Sequence, residues 1–230
     1  MRDRLIVALD VPRIAMAEAL VEQLDNEVSF YKIGLWLAFA EGVDGLIRRL
    51  VSSGKRVFLD TKMYDIGQTV AEGVARAAER GVTLVTVHGD PEIMQAACAA
   101  AKGTKLEIFA VTVLTSLNDA ALAAMGYRHT ASELVALRAR QAALAGCHGI
   151  IASALDNPNE IRRQAAAPNL RVATPGIRPA GADTNDHKRL ATPATAIAAG
   201  ADYLVVGRPI IASPDPLAAT RAILAEMSAA

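Results

Sequence analysis

The chain has 230 residues, with 24 Lys+Arg against 24 Asp+Glu and a formal net charge of zero. That balance gives no global attraction to a phosphate backbone or an anionic lipid surface, which argues against a nucleic-acid or membrane-surface protein. Hydrophobic residues make up 52% of the chain, too many for disorder, and no apolar run reaches the roughly 18–20 residues that span a bilayer.

Short aliphatic and β-branched runs recur along the chain, each followed by a helical pattern. The first run, Leu5–Leu9, follows Met-Arg-Asp-Arg directly, without the apolar region of a secretory leader. The helical stretch Ala15–Leu24 comes next. Run two is Val28–Ile33, with a helix predicted over Leu35–Leu50. Run three is Val57–Leu59, with a helix over Thr69–Arg80. Run four is Leu84–Val87, with a helix over Ile93–Ala101. Run five, Ile108–Leu114, precedes a long interval expected to hold a short extra helix before the main one at Ser132–Ala145. Runs six to eight are Gly149–Ala152, Val172–Ala173 and Tyr203–Val206. Their helices are predicted at Asn159–Ala166, Pro193–Ala199 and Pro216–Met227.

The runs start about 30 residues apart on average, the size of a βα unit. They are continuous rather than alternating, as strands buried on both faces should be. Eight such units in 230 residues predict an α/β fold, a (β/α)8 TIM barrel spanning 1–230 as a single domain. The alternative, an open doubly wound sheet, would carry a glycine-rich first turn. The first strand instead runs into Asp10-Val11-Pro12. The 47 alanines suit helices packed closely on such a sheet. Cys98 and Cys147 sit among small apolar residues and read as buried thiols of a cytoplasmic protein. No metal site is expected: two isolated Cys and four scattered His supply too few ligands in too little order.

Barrel enzymes place their chemistry at the C-terminal ends of the strands. The first strand ends at Asp10, the second contains Lys32, and the third ends Asp60-Thr61-Lys62 with Asp65 beyond. Charges at the ends of apolar strands are unfavourable to bury unless paired. On an extended strand Asp60 and Lys62, two apart, would point to one side, and Lys62 could then donate a proton. The alternative is a salt-bridge network that only neutralises the barrel mouth. His88 ends the fourth strand and reads as a hydrogen-bonded structural histidine. Thr115 and Ser116 follow the fifth strand, and Trp36 reads as a packing residue after the second.

The loops after strands seven and eight commonly hold phosphate in this fold. Here each joins Gly to Arg: Pro175-Gly176-Ile177-Arg178 and Gly207-Arg208. Glycine lets backbone N–H groups approach an anion, and a guanidinium binds it bidentately. The alternative is an ordinary turn with a solvated Arg. The polar segment 179–192, which includes His187, is long enough to act as a lid over the ligand or to be a plain surface loop.

These motifs together resemble the orotidine 5'-monophosphate decarboxylase family over essentially the whole chain. The carriers are Val7-Ala8-Leu9-Asp10, Tyr31-Lys32-Ile33-Gly34, Phe58-Leu59-Asp60-Thr61-Lys62-Met63-Tyr64-Asp65-Ile66, Thr69-Val70, Thr174-Pro175-Gly176-Ile177-Arg178 and Val205-Val206-Gly207-Arg208-Pro209-Ile210. The resemblance implies cofactor-free decarboxylation of orotidine 5'-monophosphate to UMP. It maps a charged catalytic array onto Lys32, Asp60, Lys62 and Asp65, with Lys62 protonating C6. It implies a homodimer in which Asp65, Ile66 and Thr69 reach the partner's site. Asp10 and Lys32 would contact the ribose, and Thr115 and Ser116 the pyrimidine. Pro175, Gly176, Arg178, Gly207 and Arg208 would line the phosphate site, with His187 in the lid.

Three departures from the family pattern stand out: Tyr64, Gly67-Gln68, and His187 where the lid often carries Gln. A neutral His donates one hydrogen bond but lacks the paired donor and acceptor of an amide. The rival reading is the magnesium-dependent 3-keto-L-gulonate 6-phosphate decarboxylase or hexulose-phosphate synthase type. That type carries Glu as a metal ligand where this chain has Lys32, and an ammonium cannot coordinate Mg²⁺. A non-catalytic phosphate-sugar-binding barrel is the third reading, and it would not need Lys62.

Overall fold

The structure is a computed structural model that describes residues 1–180 and 191–230. Eight strands form its centre: β1 (Leu5–Ala8), β2 (Phe30–Gly34), β3 (Arg56–Met63), β4 (Leu84–His88), β5 (Glu107–Val111), β6 (Gly149–Ile151), β7 (Arg171–Thr174) and β8 (Tyr203–Val206). Each pairs in parallel with the next, and β8 returns to β1 through Leu5↔Leu204, Ile6↔Val205 and Val7↔Val206. The sheet is therefore a closed barrel. Around it lie α1 (Ile14–Leu24), α2 (Leu35–Ala38), α3 (Val43–Ser52), α4 (Gly67–Glu79), α5 (Pro91–Ala101), α6 (Asp119–Ala124), α7 (Ala131–Ala145), α8 (Pro158–Gln164), α9 (Pro193–Ala198), α10 (Arg208–Ile211) and α11 (Pro216–Ser228). The expected (β/α)8 barrel is what forms.

Side chains alternate along each strand between two apolar environments. Leu5, Val7 and Leu9 join the large core between sheet and helices. Ile6 and Ala8 join Phe30, Phe58, Leu84, Phe109, Ala173 and Val205 inside the barrel. Both faces are thus dry, which is why the runs read as continuously apolar. Gly149 makes room for the largest of these interior groups. A Cβ there would come within 2.4 Å of the Phe109 ring.

The N-terminal ends of the strands are closed by a polar floor. The Arg171 guanidinium pairs with Glu107 at 3.0 Å and donates to the Tyr203 hydroxyl at 3.1 Å. Arg56 lies 4.3 Å over the Phe30 ring, a cation–π contact that caps the interior core.

Two elements differ from the sequence reading, and the expected extra helix forms. The helix predicted over Leu35–Leu50 is broken into α2 and α3, because Gly42 takes a left-handed φ of +89° between them. The extra helix expected before α7 is α6, capped by the Asn118 side chain accepting the Ala121 amide. Thr130 and Glu133 then start α7 with a reciprocal capping box. The third strand is much longer than Val57–Leu59 and is irregular where it matters most. Its register with β4 runs Phe58↔Leu84 and Leu59↔Val85, then jumps to Met63↔Val87. Residues 60–62 therefore bulge from the ladder, opposite Thr86 alone.

Cys98 on α5 and Cys147 after α7 are both free thiols, with their Sγ atoms 3.6 Å apart. Trp36, expected to pack, is 58% exposed. It is the second residue of a four-residue helix whose inward position is taken by Leu37. Among the described residues no helix is long and apolar enough to cross a membrane.

Candidate active site

Four charges, from β2, β3 and the loop after β1, meet at the C-terminal mouth of the barrel. Lys32 Nζ lies 2.9 Å from Asp10 Oδ1 and 3.5 Å from Asp60 Oδ2. Lys62 Nζ lies 2.8 Å from Asp60 Oδ1. The order Asp10–Lys32–Asp60–Lys62 alternates in sign, so each inner charge touches two of opposite sign. The inner pair is deep, with 10% of the Lys32 side chain and 12% of the Asp60 side chain exposed. The outer members are accessible, at 41% for Asp10 and 40% for Lys62.

Asp60 shows how the array holds its charges. Burial alone would raise its pKa. The ammoniums of Lys32 and Lys62, with hydrogen bonds from Lys62 and Thr86, outweigh burial and hold the carboxyl below the usual aspartate range. Such an arrangement is a weak way to gain stability, because apolar residues of similar volume would do as well. A mouth that keeps one lysine and one aspartate open to a ligand, with the other two locked beneath, is better explained by chemistry.

Two glycines shape the space around Asp10. A Cβ on Gly34 would lie 2.7 Å from Asp10 Oδ1 and 3.1 Å from Lys32 Nζ. Gly34 has an ordinary extended backbone, φ −79° and ψ 172°, so a larger residue there would meet no conformational barrier but would push the Asp10 carboxylate and Lys32 ammonium from their places. Gly207 approaches from β8, where a Cβ would stand 3.5 Å from Asp10 Oδ2. The second Gly-Arg loop therefore starts beside the first member of the array.

Asp60 and Lys62 converge as expected, but not as alternate residues of a regular strand. Lys62 has φ +46°, a left-handed conformation that is rare for a long side chain. The bulge, not the pleat, aims its ammonium back at Asp60.

Asp65 stands outside the array of its own chain. It is exposed on the rim, and its Oδ1 accepts the Ile66 amide at 2.7 Å. Ile66 is 71% exposed and Thr69 is exposed beside it. Thr115 and Ser116 occupy an exposed turn after β5. That turn follows Thr112, whose hydroxyl donates to the Ile151 carbonyl at 2.8 Å, and whose own carbonyl accepts from the buried Arg138. Pro175 is half-buried and Gly176 has φ +78°. Arg178 Nη1 donates to the Ile177 carbonyl at 2.8 Å, and the Arg178 amide donates to the Ala191 carbonyl at 3.0 Å. Gly207 is half-buried and Arg208 is exposed at the start of α10. His187 and most of the expected lid lie outside the described residues.

His88 has the structural partner expected of it, Asp90, at 2.8 Å. Its ring also meets Tyr64, centroid to centroid at 4.5 Å, so one departure from the family pattern closes a contact at the rim. Another, Gly67, opens α4, where a Cβ would meet Ala96 of α5 at 3.2 Å. The sequence reading quoted Gly34 without a role and passed over Arg138 and Thr86. Of these two only Thr86 left a sign: it is the one hydroxyl between Leu84 and His88 on the inward face of β4.

The profile of the family described as orotidine 5'-phosphate decarboxylase / HUMPS matches residues 3–223. A protein of Afipia carboxidovorans named orotidine 5'-phosphate decarboxylase is 53% identical over 229 residues, covering 100% of this chain and 96% of that protein. One from Rhodopseudomonas palustris with the same name is 52% identical over 231 residues, covering 100% and 95%. The crystal structure of orotidine 5'-phosphate decarboxylase from Lactobacillus acidophilus superposes with a TM-score of 0.84 at 32% identity, covering 97% of this chain and 98% of that one. With barrel, strand-end charges and full-length similarity in agreement, this chain belongs to the orotidine 5'-phosphate decarboxylase / HUMPS family.

Proposed function

We propose that the protein decarboxylates orotidine 5'-monophosphate to UMP in the cytoplasm, completing de novo pyrimidine synthesis without a cofactor. The observation that carries this reading is the alternating array Asp10–Lys32–Asp60–Lys62 at the mouth. Breaking the bond between C6 and the carboxylate releases carbon dioxide and leaves its electron pair in the plane of the ring, where the ring delocalises it poorly. A preorganised cation beside C6 stabilises that charge as it develops. Lys62 is the accessible cation. Its ammonium then gives a proton to C6, and the neutral amine is recharged from solvent. Asp60, hydrogen-bonded to the Lys62 ammonium at 2.8 Å, holds it in position until that moment.

Asp10 and Lys32 are assigned to the ribose hydroxyls, and Thr115 and Ser116 to the pyrimidine edge. Arg208, with Gly207 and the loop Pro175–Arg178, is assigned to the phosphate, and His187 to the lid. The phosphate is remote from C6, so its binding energy can be used to organise the array. We assign the whole chain to one domain acting as a homodimer, with Asp65, Ile66 and Thr69 serving the partner's site. The exposure of Tyr64 and Ile66 around Asp65 supports that assembly.

The family description also covers the magnesium-dependent branch, so a second reading needs an answer. Lys32 supplies it. Its ammonium lies between Asp10 and Asp60, where a cation would need their oxygens, and it would repel one. The deciding measurement is an ultraviolet assay with orotidine 5'-monophosphate. Turnover is expected to persist in excess EDTA. No turnover by folded protein, or activity only after Mg²⁺ is added, would overturn the proposal.

Arg208→Ala tests the phosphate assignment. Charge-assisted hydrogen bonds contribute about 1.5–3 kcal/mol, so UMP affinity should fall by roughly 10- to 100-fold with the thermal melt unchanged. Calorimetric titration giving wild-type affinity would remove Arg208 from the phosphate site.

A further inference from the structure

We propose that Thr86 is a positioning residue for the acid of this site, its hydroxyl fixing both the backbone of Lys62 and the carboxylate of Asp60. The inference rests on the decarboxylase reading and deepens it.

The β3–β4 ladder breaks between Leu59 and Met63. Inside that break the Lys62 amide has no strand carbonyl opposite it. It donates instead to Thr86 Oγ1 at 3.0 Å. The same hydroxyl donates its own hydrogen to Asp60 Oδ1 at 2.8 Å, the oxygen that also receives Lys62 Nζ at 2.8 Å. A closed circuit results: Lys62 backbone to Thr86, Thr86 to Asp60, and Asp60 to the Lys62 ammonium. Thr86 is fully buried, so water cannot replace it at either end.

The circuit answers a physical problem. A lysine at φ +46° persists only where its surroundings over-determine it. The side chain that must be placed most accurately hangs on the least favourable backbone of the strand. Thr86 secures that backbone from the neighbouring strand and sets the same carboxylate that aims the ammonium. A hydroxyl is the smallest group able to do both, since it carries one donor and two acceptor lone pairs.

The groups facing Asp60 are Lys32 from β2, Lys62 from its own strand and Thr86 from β4. Asp10 lies beyond Lys32, and His88, further along β4, is engaged by Asp90. Only Thr86 among the three direct neighbours is neutral. Its removal therefore leaves the local charge unchanged and takes away one hydrogen bond from the ionised carboxylate. That should move the Asp60 titration upward.

The test compares Thr86→Val, which keeps the shape and deletes the hydroxyl, with Thr86→Ser, which keeps the hydroxyl. In Thr86→Val, kcat for orotidine 5'-monophosphate should fall by roughly 10- to 100-fold while KM changes by less than about threefold, as for misplacement of a group acting in the transition state. The acid limb of its pH–kcat profile should move to higher pH. Thr86→Ser should stay within about threefold of wild type in both respects. Should the valine variant not fold, Thr86→Ala against Thr86→Ser makes the same comparison at smaller volume. Carbon-13 titration of the Asp60 carboxyl supplies a readout independent of turnover. It should shift upward in the valine or alanine variant and not in the serine variant.

Wild-type kcat and an unshifted Asp60 titration in Thr86→Val would overturn the proposal. So would a serine variant as impaired as the valine one. If the wild-type protein itself fails to turn over substrate, the decarboxylase reading falls. The titration alone then decides whether Thr86 sets Asp60.

Discussion

Lys62→Ala should lower kcat for orotidine 5'-monophosphate by at least about 10⁴-fold, combining the loss of a general acid with the loss of a preorganised charge at C6. The two contributions fall on one atom. In the proposed reaction the Lys62 ammonium stabilises the electron pair left by carbon dioxide and then quenches it with a proton. Among the described residues no second ammonium is open at the mouth, because Lys32 is held beneath Asp10 and Asp60 with 10% of its side chain exposed. Asp60 retains Lys32 after the substitution, 3.5 Å away, so the remaining carboxylate is not left alone and the fold should survive. Circular dichroism and UMP affinity separate lost chemistry from lost structure. A variant that stays folded and within about tenfold of wild-type kcat would remove Lys62 from the proton transfer.

The second large effect concerns Asp65. Asp65→Ala alone should be nearly inactive, and mixing it with Lys62→Ala should restore activity. Asp65 lies three residues beyond Lys62, exposed on the rim and bonded to the Ile66 amide instead of to the array. In a two-fold dimer, each site would take Lys62 from one subunit and Asp65 from the other. A heterodimer of the two variants then has one site with both residues intact and one site lacking both. Random exchange of equal amounts makes half the dimers hybrid, so about a quarter of wild-type activity per subunit should return. Absence of recovery after exchange verified by mass-tagged subunits would place Asp65 in cis, or outside catalysis altogether.

The four converging charges were legible in the sequence, but their pairing was less so. Asp10, Lys32, Asp60 and Lys62 declare themselves because each interrupts or ends a run that is otherwise apolar, and burial of an unpaired charge is too unfavourable to be incidental. Which charge meets which is set by register between strands, and register is not written in any one strand. Alternation alone would have placed Asp60 and Lys62 side by side on a regular β3. The true cause of their contact is a two-residue excess over β4, visible only once Leu59↔Val85 and Met63↔Val87 are both known. Thr86 was missed for the same reason, since its partners sit 24 and 26 positions away. Helix boundaries followed local chemistry more closely. Gly42 ended a pattern whose apolar period continued past it, and the capping box of Thr130 and Glu133 marked where α7 begins.

The irregular stretch of β3 also sets a limit on how this barrel can be improved. A straight third strand, two residues shorter, would complete the ladder with β4, relieve the left-handed backbone at Lys62 and remove the buried Thr61 hydroxyl, which has no hydrogen-bond partner among the described residues. Each change favours a more heat-resistant protein. Each also unseats the ammonium. Directed evolution scored on melting temperature alone would therefore drift toward a tougher and silent barrel, whereas screens that couple heating to turnover should leave residues 60–62 untouched and collect their gains in the outer helices and the floor.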